Sequence, residues 1–542
     1  MLLNKMNQFK DLGYMVDCSR GAVPKVDTLK KLISILKELG YTYIMLYTED
    51  VYEIEGEPYF GYMRGRYSQK EIKEIDDFCI ANNMELRACI QTLAHLGRIK
   101  RHEQYVDLFD IDDILLVKDE RVYEFIEKMI ATVAKLFTCK KIHIGMDEAW
   151  ALGRGKFFDR NGVVPKEEIM VYHLNKVSEI TKRYGFECDI WADMIMQSYY
   201  ECQNKEEFNF SLPDNITPIA WRYWVKTPEA SEEEITLYKK LTKNKLGYAG
   251  GTQKWSGFVP NNIYSLSALK EQINTCIKLN VERYLVTAWA DGAADASLFS
   301  TLPSIYYASL LAHNLQLDKE SKKYFKEVTG ISFDKFLKID NLNRLGTKED
   351  DINVGNLSFN YFYNDLLQGL YDEAVIENIS EKIKVISTQM KKISESSEEF
   401  GYVFDSLYHL AKVLQYKSEL SVSIYDNYKT HNIKALKKDI TNIKKVLKHL
   451  DLFMNAYEYQ WHLENKAFGY EKQNIRLGGL YERIFYVLNK LTQYVNNDID
   501  SIDELEETRL PISSRWWDHK NKINNMHHNY SEVVSSGFLK EI

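Results

Sequence analysis

The sequence contains no run of 18 or more uncharged apolar residues, and its opening stretch, Met1 to Lys10, lacks the apolar core of a secretory signal. Both absences argue against a membrane-spanning or exported chain, so a cytoplasmic, non-membrane protein is expected. Seven cysteines, Cys18, Cys79, Cys89, Cys139, Cys188, Cys202 and Cys276, are odd in number and never form a Cys-x-x-Cys pair. Most lie inside apolar stretches, as reduced core thiols do. His-Glu-x-x-His, clustered Cys/His ligands and a phosphate-binding loop are all missing, so no metal, nucleotide or other cofactor is expected. Lysine and arginine never form a run interleaved with aromatics, and the net charge of −8 is mild for this length. Nucleic acid is therefore not an expected partner.

At 542 residues the chain exceeds the size at which a single core keeps growing, and hydrophobic residues at 45% suffice for a substantial one. From residue 13 to about 292, short β-rich apolar runs alternate with helical stretches, the pattern of βα units closing a parallel sheet. Eight runs read as strands: Gly13–Ser19, Tyr41–Asp50, Met84–Thr92, Lys140–Glu148, Phe186–Met194, Thr217–Trp224, Lys245–Gln253 and Val281–Gly292. Leu29, Leu32, Ile33, Leu36 and Leu39 follow the helical period between the first two, and Gly40 stops that helix. Eight units predict a (β/α)₈ TIM barrel within the α/β class, with its site at the C-terminal ends of the strands.

Proline all but vanishes beyond Pro303, where only Pro511 remains. Ile379, Ile383, Ile386, Met390 and Ile393 keep the helical period, as do Leu436, Ile440, Ile443, Val446, Leu447 and Leu450. Residues of about 345–530 therefore read as all-helical. The predicted domains are a barrel over 1–340 and an all-α C-terminal domain over 341–542. Asn465-x-x-Phe468-Gly469 and Arg476-Leu477-Gly478-Gly479 interrupt the pattern and read as a buried turn against the barrel.

The fourth run, Lys141-Ile142-His143-Ile144-Gly145-Met146-Asp147-Glu148, ends in two consecutive carboxylates. Like charges that close push one pKa upward, and burying them is unfavourable unless they are paired or used. On a regular strand neighbouring side chains point to opposite faces, so both serve one pocket only where the strand gives way to its loop. An arbitrary Asp-Glu pair more often starts a helix. Position at a barrel strand end reverses those odds. The other strand ends also carry polar and aromatic groups: Asp17 and Arg20, Glu49 and Asp50, Thr92 and His95, Trp191 and Asp193, Trp221 and Trp224, Trp255, Trp289 and Asp291.

His143-x-Gly145-x-Asp147-Glu148 resembles the strand-four motif of glycoside hydrolase family 20, the β-N-acetylhexosaminidases, with Met146 where members commonly have a second glycine. The resemblance spans about residues 10–310 in the right order. It suggests the branch without an N-terminal β domain and with a helical C-terminal module. It implies substrate-assisted retaining catalysis, in which the substrate's 2-acetamido oxygen attacks C1 and an oxazolinium ion forms, an exception to the two-carboxylate scheme. By resemblance, Asp147 orients and stabilises the acetamido group, while Glu148 protonates the leaving oxygen and then activates water. Asp50 and His95 fall where the family has a relay, Asp50 orienting the imidazole that tunes Glu148. Arg20 resembles the arginine that forks onto the sugar O3 and O4. Trp289-x-Asp291 resembles the pocket-floor Trp-x-Glu, with Asp one methylene shorter. Trp191, Trp221 and Trp255 are candidates for the remaining walls, against which sugar C–H faces pack. The donor to the acetamido carbonyl stays open between Tyr223, Tyr248 and a loop tyrosine. His143 reads as a core or supporting residue.

The expected function is exo-hydrolysis of terminal, non-reducing β-linked GlcNAc or GalNAc. The expected partners are N-acetylhexosamine-containing glycans or glycosides, with a homodimer through the helical module as a further hypothesis. Two alternatives stand beside it: an inactive sugar-binding barrel, and a barrel glycosidase of another family that uses a carboxylate nucleophile.

Overall fold

The computed structural model describes residues 7–206, 208, 210–242, 244–292, 294–345, 357–513, 517–520, 523–524 and 530–537. Within the segment read as helical, residues 346–356, 514–516, 521–522 and 525–529 lie outside the described residues, and Trp517–Asp518 pairs antiparallel with Ile523–Asn524 instead of forming helix. Compactness divides the chain into two units: Met1–Thr252, Ser265–Ala288 and Ile305–Leu317 form the first, and Gln253–Tyr264, Trp289–Ser304 and Asp318–Ile542 the second.

All eight β-rich runs form strands, and they close into one parallel barrel in chain order. The strands are β1 (Asp11–Asp17), β2 (Tyr43–Tyr47), β3 (Glu85–Cys89), β4 (Lys141–His143), β5 (Glu187–Trp191), β6 (Ile216–Trp221), β7 (Gly247–Gly251) and β8 (Arg283–Ala288). The helices between them follow the expected rules. The first spans Val26–Glu38 and ends just before Gly40, whose φ is 75°. Another, Gln69–Ala81, starts with a capping box in which Ser68 and Glu71 satisfy each other's backbone N–H.

Odd-numbered strand residues point into the barrel. At its N-terminal end they form an ion layer, with Arg87 paired to Asp11 at 3.0 Å, Lys141 to Asp11 at 3.3 Å and Arg283 to Asp189 at 2.7 Å. The Arg87 guanidinium also stacks 3.6 Å from the Tyr43 ring centroid. Tyr43 fills the space above Gly13, where a Cβ would stand 2.0 Å from its ring. This plug leaves the opposite end for the site.

In the second unit, both periodic segments read from the sequence are helices, Ile379–Glu395 and Ile433–Glu464, joined by others including Gly401–Lys417 and Tyr470–Val495. A turn lies at Asn465–Gly469, Gly469 taking a φ of 92°, but its middle is exposed rather than buried, with Phe468 at 43%. Arg476-Leu477-Gly478-Gly479 does not turn; it continues the helix, whose neighbouring Leu477 and Leu480 are buried and outweigh the low helix propensity of the glycines. From that helix Arg476 donates to the Gly292 carbonyl at 2.9 Å and Gln473 to Asp295 at 2.7 Å, while Glu464 accepts from the Leu298 N–H at 2.8 Å. The segment 289–304 is thereby fixed within this unit. Among the described residues no helix is long and apolar enough to cross a membrane.

Lys417 is buried at 2% exposure and donates to the carbonyls of Tyr361 and Asn364, at the end of the helix Leu357–Tyr363. Burial pushes its pKa down to about 7, against the opposing pull of Asp365 and Asp372. Lys417→Met keeps the stem but orphans two carbonyls, and an expected loss of about 1–3 kcal/mol should appear as a lower unfolding temperature. Since the unfolded chain binds this proton more tightly, wild-type stability should rise relative to the variant as pH increases above 7.

Candidate active site

The site lies in the first unit and begins with a turn that L-residues resist. Beyond β4 the chain passes through Gly145 at φ 75°, Met146 at φ 76° and Glu148 at φ 54°. Glu49 after β2 and His95 after β3 are also left-handed, at φ 46° and 60°. The non-glycine residues among these each carry about 1–3 kcal/mol of strain, which persists only where the surroundings impose it.

The surroundings here are buried and polar. Gln91, just beyond β3 and fully buried, donates through Nε2 to Asp147 Oδ1 at 2.8 Å and to the Tyr47 hydroxyl oxygen at 3.0 Å. Its Oε1 accepts the Met146 N–H at 3.3 Å. Tyr47 in turn donates to Glu49 at 3.2 Å, and Glu49 faces the Arg20 guanidinium at 3.6 Å. Arg20 also pairs with Asp17 at 3.5 Å. A continuous polar chain therefore links the ends of β1, β2, β3 and β4. On the far side of the turn Asp193, after β5, accepts the Glu148 N–H at 2.9 Å and the Trp221 indole N–H at 3.4 Å. Trp221 stacks on Tyr223, centroids 5.3 Å apart and planes at 21°.

The two carboxylates are placed differently. The Asp147 side chain is 11% exposed and that of Glu148 44%. His95 Nε2 stands 3.3 Å from Asp147 and 3.7 Å from Glu148. Burial acts to raise Asp147, but the adjoining His95 and the Gln91 hydrogen bond prevail and hold its carboxyl below the usual range. Glu148 is raised, first by burial and then by the Asp147 charge. Burial opposes protonation of His95, yet Asp147 and Glu49 carry it up to about 9. The site thus holds an anion, a cation and a carboxyl that keeps its proton to higher pH than usual.

His143 is fully buried inside the barrel, its ring 4.3 Å from that of Trp191, and its Nδ1 accepts the Gly145 N–H at 3.1 Å. Burial lowers its pKa to about 3, so it supports the turn as a neutral imidazole. Trp191 is itself only 1% exposed. Gly145 is sterically required: a Cβ there would meet Gln91 Oε1 at 2.0 Å and the Ile90 carbonyl at 2.9 Å. Gly145→Ala should therefore displace Gln91 and lower stability by about 1–3 kcal/mol, read by thermal unfolding, with loss of whatever activity depends on Asp147.

A model of the glycosyl hydrolase family 20 catalytic domain matches residues 61–237, and a model of the glycoside hydrolase 20C C-terminal domain matches residues 334–524. The chain belongs to glycoside hydrolase family 20. It is 25% identical to bovine hexosaminidase D over 213 residues, 38% of this chain and 60% of the relative, and 24% identical to human hexosaminidase D over 214 residues, 38% and 43%. The matches thus span less than two thirds of either relative. A solved chitobiase from Flavobacterium johnsoniae aligns with a TM-score of 0.46 at 15% identity, covering 84% of this chain and 78% of that one.

Within this family-20 barrel, the structure brings Asp147, Glu148 and His95 together, links Arg20 to them through Glu49, and places Trp221 beside Asp193 with Tyr223 stacked on it. It corrects the expected relay. Asp50 does not orient His95; its carboxylate takes the Arg64 guanidinium at 2.9 Å, and Arg64 also donates to the Ser19 carbonyl at 2.6 Å. The acid facing His95 Nδ1 is Asp113, at 3.7 Å, from a short hairpin after β3 that sequence reasoning passed over. Tyr248 is corrected as well. As an even-numbered residue of β7 it points outward, stacked 6.2 Å from Tyr284, which donates to Gln272 of the helix Asn262–Lys278.

Trp255, Trp289 and Asp291 belong to the second unit. There the Trp255 carbonyl accepts the Gly292 N–H at 2.6 Å, and Trp289 is 9% exposed whereas Asp291 is exposed. Gln91, Asp113 and Asp110 are the polar residues that sequence reasoning missed. Asp110 accepts from the N–H groups of Gly153 at 3.1 Å and Phe157 at 2.6 Å, anchoring the loop that follows Glu148. Gln91 sits directly past β3, Asp113 in the turn of the short hairpin and Asp110 within its first strand, Phe109–Ile111, where a polar residue in an apolar context is the available signal.

Proposed function

We propose that this chain is an exo-acting β-N-acetylhexosaminidase that hydrolyses terminal β-linked GlcNAc or GalNAc by substrate-assisted retention. The observation that carries the reading is the unequal setting of two adjacent carboxylates: Asp147 enclosed, paired and acidic, Glu148 half-exposed and raised. A stabiliser of developing positive charge must remain ionised, and a general acid must arrive protonated and within reach of the leaving oxygen and of water. In this mechanism Asp147 holds the acetamido N–H as its carbonyl oxygen attacks C1, and Glu148 gives its proton to the leaving oxygen. Glu148, now ionised, takes a proton from the water that opens the oxazolinium ion. Arg20 binds the sugar hydroxyls, Trp221 packs on the ring, and Tyr223 is the candidate donor to the acetamido carbonyl. The name hexosaminidase D of the two relatives supports the substrate class. The buried thiols of Cys18, Cys79, Cys89, Cys188 and Cys276 suit a reducing, cytoplasmic setting.

Release of nitrophenol from nitrophenyl β-N-acetylglucosaminide tests the reading, together with inhibition by N-acetylglucosamine-thiazoline, which mimics the oxazolinium ion. Turnover with competitive inhibition is expected. Turnover that the thiazoline leaves untouched points to an enzymic nucleophile, and binding without turnover points to an inactive barrel.

A further inference from the structure

Gln91 and Asp193 grip the left-handed turn from opposite sides, and Gln91 touches Asp147 directly. Asp193 has a less obvious place. It is the first residue of the helix Asp193–Glu201, where an acid ordinarily serves the helix dipole. Its two oxygens instead face the pocket wall: Oδ2 accepts the Glu148 N–H at 2.9 Å and Oδ1 the Trp221 indole N–H at 3.4 Å. It is 9% exposed, and among the described residues no cation pairs with it. The groups that face it are Asp147 and Glu148 past β4, Trp221 on β6 and Tyr238 from the helix Pro228–Thr242. A carboxyl buried among such neighbours is unfavourable for stability alone.

Glu148 adopts φ 54°, a conformation that non-glycine residues hold only when something fixes it. Its N–H cannot join the β4–β5 ladder from that conformation, and Asp193 supplies the acceptor. We propose that Asp193 is a positioning residue: by holding the Glu148 N–H it locks the turn that aims the Glu148 carboxyl at the leaving oxygen, and by holding the Trp221 indole it ties the acid to the same wall of the pocket. The role rests on the hydrolase reading above. Burial, and then the charge of Asp147, push the Asp193 carboxyl up to about 7. Either protonation state retains an oxygen to accept from Glu148.

The test compares two substrates of wild type, Asp193→Ala and Asp193→Asn. A GlcNAc β-linked disaccharide has a leaving oxygen that must be protonated, whereas the 2,4-dinitrophenyl glycoside departs with little help. A misaimed acid should lower kcat/KM on the disaccharide about 100-fold for Asp193→Ala, with the disaccharide KM nearly unchanged, and less than about 5-fold on the dinitrophenyl glycoside. Asp193→Asn keeps one acceptor oxygen and should recover about 10-fold of that loss. Equal losses on both substrates, or no loss on either, overturn the positioning role. Should Asp193→Ala fail to fold, the near-isosteric Asn variant decides alone, since its loss must still be confined to the disaccharide. Wild-type protein that cleaves neither substrate refutes the hydrolase reading itself.

Discussion

Asp147→Asn is expected to lower kcat/KM by about 10²- to 10³-fold on every substrate, whatever its leaving group. The substitution keeps the shape and one acceptor but removes the negative charge that His95 and Gln91 hold in place. In the proposed mechanism positive charge grows on the acetamido nitrogen as the oxazolinium ion forms, a step that kcat/KM reports for every leaving group. The variant should also change the pH profile. Asp147 is the second cause, after burial, of the raised Glu148 pKa. With that charge gone, Glu148 gives up its proton at lower pH. An acid needed in protonated form is then lost sooner, and the falling limb of kcat/KM moves to lower pH. His95 also falls from about 9, since Asp147 is the first group that raises it against burial. Residual activity followed against pH on two leaving groups checks both effects. A loss confined to poor leaving groups would assign Asp147 to proton transfer.

The barrel is legible in the sequence because eight apolar, β-rich runs alternate with amphipathic helices, and their order alone predicts the closure. The C-terminal limits of the strands are not, and the reason is local. Thr48-Glu49-Asp50 and Gly145-Met146-Asp147-Glu148 leave the ladder through left-handed residues, and nothing in the identity of Glu49, Met146 or His95 announces that conformation. The carboxylate pair stands out because two acids at an apolar strand end call for a use. Their supports do not: Gln91 is an uncharged amide 56 positions before Asp147, and Asp113 lies in a hairpin inserted between β3 and its helix. Strand parity would have sorted two of the misplacements. Tyr47 points into the barrel, so Glu49 follows it inward and Asp50 does not; Gly247 and Ala249 are inward positions, so Tyr248 is not. The aromatic wall is read only partly from residue type, since Trp191 is buried against His143 while Trp221 is held in place by Asp193.

Glu148→Gln should separate substrates that Asp147→Asn does not. Glutamine matches the volume of Glu148 and accepts hydrogen bonds, but it has no proton to give and cannot take one from water. For an alkyl or saccharide leaving group, whose oxygen must be protonated as the bond breaks, the expected loss in kcat/KM is about 10²- to 10⁴-fold. A dinitrophenolate needs no such proton, so kcat/KM on that glycoside should change little. Its kcat should still fall, because opening the oxazolinium ion then lacks a base and becomes the slow step, preceded by a burst of dinitrophenol. The 44% exposure of the Glu148 side chain leaves room for a small anion in its place. Azide should therefore speed the second step and release a β-glycosyl azide. The pH dependence follows the same logic: wild-type activity falls as Glu148 loses its proton, at a pH raised by burial and by Asp147, and the glutamine variant should lack that limb. Equal losses on both leaving groups, with no burst and no azide product, would remove Glu148 from proton transfer and leave the pair at the end of β4 as carboxylates that only bind.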